Sequence, residues 1–130
     1  TDMQEGPNVD LVCTGKELPE KIGRESCDLL ICTEVLEHVE SWFEFMQSIW
    51  STIKLGGILL LTPRSPGFPL HNYPSDHWRF TVRDMLTIFK DQQIMTVTAD
   101  PTTQPGVGEI IRKRDESLTA ENPQKASGPS

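Results

Sequence analysis

The sequence has no apolar run approaching the ~20 residues that a membrane-spanning helix needs, and we expect no secretory signal. It also has no C-x-x-C pair. Cys13, Cys27 and Cys32 are odd in number, and each sits in or beside an apolar run. That pattern argues against a disulfide framework and fits reduced, buried thiols. Positive charge is scarce: 12 Lys and Arg stand against 19 Asp and Glu, for a net charge of −7. A general grip on nucleic acid or on a membrane surface needs a basic face, so neither partner is expected. We expect a soluble, cytoplasmic protein. No internal repeat is present. With 130 residues, 36% hydrophobic content and three Trp, the chain amounts to one domain or part of one, with a modest core.

Against this background one stretch stands out, residues 27–39, C-D-L-L-I-C-T-E-V-L-E-H-V. Its first half is a short apolar run suited to a strand covered on both faces. Then the period changes. Val35, Leu36 and Val39 recur at helical spacing, while Glu34, Glu37, His38 and Glu40 place polar groups at the strand's carboxyl end. In open α/β sheets that end binds ligands. Ser41 and Glu44 form an S-x-x-E capping pattern ahead of a helix whose apolar face is Trp42, Phe45, Met46, Ile49, Trp50 and Ile53. Lys54 falls in its last turn, and Gly56-Gly57 is expected to stop it. Residues 58–62, I-L-L-L-T, form a second apolar strand ended by Pro63. Strand, helix and strand in this order predict a parallel crossover unit.

Upstream, residues 4–8 read as a loop and 9–13 as a short strand broken by Thr14-Gly15; residues 16–24 form a loosely helical connection. Downstream, residues 64–80 form a long irregular loop carrying His71, Tyr73, Asp76, His77, Trp78 and Arg79. A loop of that length is functional or disordered, and its aromatic and ionisable content favours function. Thr81 and Asp84 cap a further helix with Val82, Met85, Leu86 and Phe89 on one face. Residues 94–97 and 108–111 predict an antiparallel hairpin. Residues 113–130 read as a disordered tail.

The run D-L-L-I-C-T-E-V-L-E-H-V, followed by a helix and L-G-G-I-L-L-L-T-P, resembles the class I S-adenosylmethionine-dependent methyltransferases of type 11, a group acting on small molecules and glycans. Y-P-S-D-H-W-R-F-T at 73–81 is similar to a segment in one branch of that group. The resemblance covers roughly residues 1–112. It implies an α/β, Rossmann-like, doubly wound and mostly parallel sheet with a C-terminal antiparallel hairpin. The first strand and glycine-rich loop that the family places ahead of Asp2 are lacking, so we expect an N-terminally truncated domain.

The same resemblance implies the site. Asp2, with Met3, falls where the family holds the cofactor's ribose hydroxyls; an ordinary loop Asp is the alternative. Thr14, Gly15 and Lys16 stand at the adenine-contacting turn, where the family usually has an Asp. Cys32, Thr33 and Glu34 match the loop facing the cofactor's methionine end, although Cys32 also suits a core position. Glu37 is read as a solvated residue or helix-dipole partner. His38 is either a structural histidine or a proton relay, and is the candidate catalytic residue. His71, Tyr73, His77 and Arg79 are candidates for binding the acceptor, with Trp78 and Phe80 as packing anchors. His71, Asp76 and His77 lack a third close ligand and a recognised spacing, so no metal is expected. The implied activity is methyl transfer from S-adenosylmethionine to a small-molecule or glycan acceptor. Such a reaction depends chiefly on alignment and needs a base only if the acceptor must lose a proton. A non-catalytic methyltransferase-like scaffold is the alternative, and another nucleotide-binding α/β domain, such as a dehydrogenase, a third.

Overall fold

The computed structural model describes residues 1–70, 75–101 and 104–126. A four-stranded sheet forms the frame, built from β1 (Cys27–Thr33), β2 (Ile53–Thr62), β4 (Gln93–Asp100) and β5 (Gly106–Arg112), in the order β1-β2-β5-β4. β1 and β2 run parallel, joined by helix α2 (Trp42–Ser51); β5 pairs antiparallel with both β2 and β4. The crossover unit and the terminal hairpin expected from the sequence are both present.

One face of the sheet carries the core. Cys32, Leu59, Leu61, Val107 and Ile111 are buried there with Phe45, Met46, Ile49 and Trp50 of α2 and Met85 and Ile88 of α3 (Val82–Ile88). Trp50 meets Phe89 just beyond α3 at 5.5 Å, so the two helices share that face. The opposite face is not covered among the described residues. Leu29 and Ile31 remain 56% and 61% exposed, which corrects the expectation that β1 is covered on both sides.

Three further boundaries differ from the sequence reading. Helix α2 ends at Ser51, not near Gly56-Gly57, which lie inside β2. The cause is distant in sequence: fully buried Lys113 donates to the carbonyls of Trp50 and Ile53, while the Thr52 hydroxyl donates to Ile49. These donors satisfy C-terminal carbonyls that another helical turn would otherwise use. At the other end, Ser41 is the N-cap without a side-chain bond, and Glu44 turns outward to Lys16 at 2.8 Å. The Thr81–Asp84 capping box does form.

Residues 9–13 are not a sheet strand. They contribute one parallel bridge, Asp2 to Val12, and attach elsewhere through Cys13, Gly15 and Leu18. α1 (Leu18–Ile22) packs on α2. A Cβ on Gly15 would lie 2.1 Å from the Phe45 ring. Gly15→Ala is therefore expected to destabilise the fold by about 1–3 kcal/mol, the usual range for overpacking, read as a lower urea midpoint.

Nor do residues 113–126 trail away as a tail. Leu118 packs on the core, and β6 (Gln124–Lys125) pairs with β3 (Trp78–Arg79). Residues 127–130 lie outside the described set.

Candidate active site

At the carboxyl end of β1 the chain turns sharply. Glu34 takes φ +56°, a left-handed conformation that costs a non-glycine residue roughly 1–2 kcal/mol. Its N–H donates to Thr62 at the end of β2. A single 3₁₀ turn, Leu36–His38, follows in place of a longer helix. Leu36 anchors this turn in the core at 1% exposure.

Residues 75–78 clamp the turn from outside. His77 N–H donates to the Glu37 carbonyl at 2.9 Å, and the Trp78 indole donates to Val39 and Glu40. Ser75 Oγ donates to the His38 carbonyl at 3.2 Å. In return the His38 ring contacts the Ser75 carbonyl through Nδ1. A carbonyl can only accept, so Nδ1 bears the hydrogen and Nε2 is the basic nitrogen of the neutral ring. Nε2 lies 3.8 Å from Glu37 Oε2.

Behind this turn is a cavity of about 370 Å³ lined by Glu34, Glu37, His38, Arg64, Phe68, Asp76, Arg79 and Gln104. Arg64 pairs with Glu34 and lies 4.4 Å over the Phe68 ring. Arg79 is 2% exposed and meets Asp76 with both terminal nitrogens, at 2.5 and 2.6 Å; it also donates to the carbonyls of Phe68, Pro69 and Trp78. Its guanidinium thus holds the loop together and has little left for an acceptor.

Glu37 is not solvated, contrary to the sequence reading. It is 2% exposed, its Oε1 has no hydrogen-bond partner among the described residues, and burial raises its pKa above the usual carboxylate value. Burial, with the Glu37 charge secondary, also pushes the neighbouring Cys32 thiol up to about 12. Cys32 is therefore a neutral core thiol at physiological pH, not a nucleophile.

The other expected residues fall elsewhere. Asp2 is exposed, with Oδ1 accepting from Gln4 N–H at 3.3 Å. Met3 is exposed beside it, and Thr33 is exposed at the end of β1. Thr14 exchanges bonds with Glu17, Gly15 rests on Phe45, and Lys16 pairs with Glu44. No hydrogen bond or ion pair joins this group to Cys32, Thr33 or Glu34 among the described residues. His77 contributes its backbone to the clamp and does not line the cavity. His71 and Tyr73 lie outside the described residues.

The profile of the family described as "Methyltransferase domain" matches residues 3–61, from the segment beside Asp2 through the end of the parallel crossover. Residues 3–61, a little under half of the chain, are similar to that methyltransferase family. The crystal structure of Burkholderia thailandensis 1,6-didemethyltoxoflavin-N1-methyltransferase, with 1,6-didemethyltoxoflavin and S-adenosylhomocysteine bound, matches at a TM-score of 0.66 and 14% identity. The match covers 81% of this chain and 50% of that one, so the chain spans about half the length of this relative. At that identity the likeness establishes a methyltransferase-like fold. No curated protein matches the sequence.

S-adenosylmethionine carries a diol and two cationic centres, and the described residues fit these in part. The exposed Asp2 carboxylate suits a diol, and the acidic strand-end turn suits a cation, although its Glu34 carboxylate already faces Arg64. The two lie on separate segments, and the cavity is bounded only by the second. Among the described residues no three His, Cys, Asp or Glu side chains converge as a metal set.

The sequence reading overlooked Arg64, Phe68 and Gln104 as cavity residues. Arg64 had a usable signal: it follows Pro63 at the carboxyl end of the second apolar strand, as Glu34 follows the first.

Proposed function

We propose that this chain carries out, or forms the acceptor-handling part of, S-adenosylmethionine-dependent methyl transfer to a small-molecule or glycan acceptor bound in the 370 Å³ cavity. The observation that supports this most is the position of Glu34, Glu37 and His38. They sit together on a strained, clamped turn at the carboxyl end of the parallel pair, as cavity wall. Backbone strain of this kind persists where the surroundings fix it and is concentrated at functional sites.

In this reading Asp2 holds the cofactor's diol, and the turn from Cys32 to Glu34 faces its cationic end. The bound cofactor supplies an electrophilic methyl group. His38 Nε2 takes the proton of an acceptor hydroxyl, and its orientation is held by the Ser75 carbonyl. Phe68 and the clamped loop wall off water around the acceptor. Both arginines of the cavity already face carboxylates, Arg64 with Glu34 and Arg79 with Asp76. An anionic acceptor would find no uncompensated positive charge there, which favours an uncharged hydroxyl compound.

The scaffold reading draws on one observation, the separation of Asp2 and Thr14–Lys16 from the cavity. Chemical-shift mapping with S-adenosylhomocysteine distinguishes the two. Methyl transfer predicts perturbed amides at Asp2 and at Cys32, Thr33 and Glu34. Shifts confined to the groove of Pro19, Arg24 and Gln47, or no shifts, would favour the scaffold.

A further inference from the structure

We propose that Glu37 is a positioning residue for His38, the pair accepting the acceptor's proton as a unit in which the carboxylate stabilises the imidazolium. This rests on the methyl-transfer reading above, and deepens it. The geometry carries the assignment. Glu37 Oε2 stands 3.8 Å from His38 Nε2, on the opposite side of the ring from the Nδ1–Ser75 contact. Glu37 cannot readily swing out to solvent: its carbonyl receives the His77 N–H, and the preceding Leu36 is locked in the core.

The charges around Glu37 make the pairing specific. Glu34, His38 and Arg64 act on it, Cys32 feels its charge, and Asp76 and Arg79 share its cavity. Arg64 is engaged by Glu34, and Arg79 by Asp76. Cys32 is neutral. Glu37 Oε1 meanwhile has no hydrogen-bond partner among the described residues. A buried carboxylate short of donors is costly as an anion unless a positive charge forms beside it. A protonated His38 is that charge. The cavity thus favours proton arrival at Nε2 by removing an electrostatic deficit that exists before the reaction.

In the step assigned to the pair, the acceptor oxygen bonds to the transferred methyl carbon as that carbon's bond to sulfur breaks. The bonding pair leaves with sulfur, which becomes neutral. The acceptor's O–H bond also breaks, its electrons stay on oxygen, and the proton moves to His38 Nε2. The positive charge lost at sulfur reappears on the imidazolium, beside Glu37. No oxidant or metal is required to balance the step.

The test is a ¹³C-carboxyl NMR titration of Glu37 in the whole chain and in His38→Asn, whose amide can still donate to Ser75. A His38 that never carries charge beside Glu37 would leave the Glu37 midpoint unmoved in this variant. The pairing predicts a rise of at least about one pH unit, as for an opposite charge removed from ~4–6 Å. Should His38→Asn fail to fold, His38→Gln supplies the same readout. S-adenosylhomocysteine is titrated into the same samples by calorimetry. Binding with a raised midpoint supports the proposal. Binding with a change below about 0.3 unit overturns the pairing and leaves methyl transfer standing. A raised midpoint without binding in the folded wild type overturns the methyl-transfer reading on which the catalytic role depends.

Discussion

Arg79→Ala lowers the unfolding free energy by about 3–5 kcal/mol at neutral pH, the range for removing one partner of a buried ion pair. The guanidinium is 2% exposed, and the Asp76 side chain it meets is 1% exposed. Deleting it strips a desolvated carboxylate of its cation, and the carbonyls of Phe68, Pro69 and Trp78 of donors. Arg79→Lys recovers little, because an ammonium cannot reproduce the two-pronged contact at 2.5 and 2.6 Å. The effect extends to the site, since Phe68, Asp76 and Arg79 are cavity wall and residues 75–78 clamp the His38 turn. Urea unfolding of both variants checks this. A loss under about 1 kcal/mol for Arg79→Ala would show that the pair is not buried as described.

The second large effect is a pH dependence centred on Glu109. It lies on β5 between Leu61 of β2 and Val97 of β4, 1% exposed, with neither carboxyl oxygen hydrogen-bonded among the described residues. Burial raises its pKa from 4.5 to about 8. Between those values the folded chain keeps a proton that the unfolded chain has released. Stability therefore falls as pH rises from about 4.5 to about 8, and levels off above. At about 1.4 kcal/mol per pH unit, the total is bounded by roughly 5 kcal/mol. Glu109→Gln removes this contribution. Relative to the parent it is expected to gain several kcal/mol at pH 9 and little at pH 5. Burial of Glu37 adds a slope of the same sign, so the Gln variant retains some pH dependence. Equal urea midpoints for parent and variant at pH 9 would contradict the burial of an unpaired Glu109.

Local pattern made much of the fold legible. The parallel pair, the α2 apolar face, the Thr81–Asp84 cap and the hairpin each depend on residues close in sequence. The failures have long-range causes. Near Ser51 only the Thr52 hydroxyl marks the end of the helix; Lys113, some sixty positions later, provides the other donors. Polar composition at 113–126 concealed a few anchors, Lys113 and Leu118, that fix the segment against the core. Leu29 and Ile31 look like buried residues, yet the sheet face they occupy has no cover among the described residues. Near the cavity, the strand-end rule anticipated that Glu34 and His38 follow β1, where both line its wall. It misread Glu37, because exposure at a helix start is ordinary and only the clamp by 75–78 closes it off. Arg79 looked like a ligand for an acceptor until its partners within the loop were evident.

The most direct test of the account is a calorimetric titration of S-adenosylmethionine into the whole chain, repeated with Asp2→Ala and Glu34→Ala. The account predicts one-site binding in the micromolar range, weakened about tenfold or more by each substitution, because each removes a carboxylate assigned to a different end of the cofactor. Absence of binding by a chain shown to be folded, or binding indifferent to both substitutions, would contradict it.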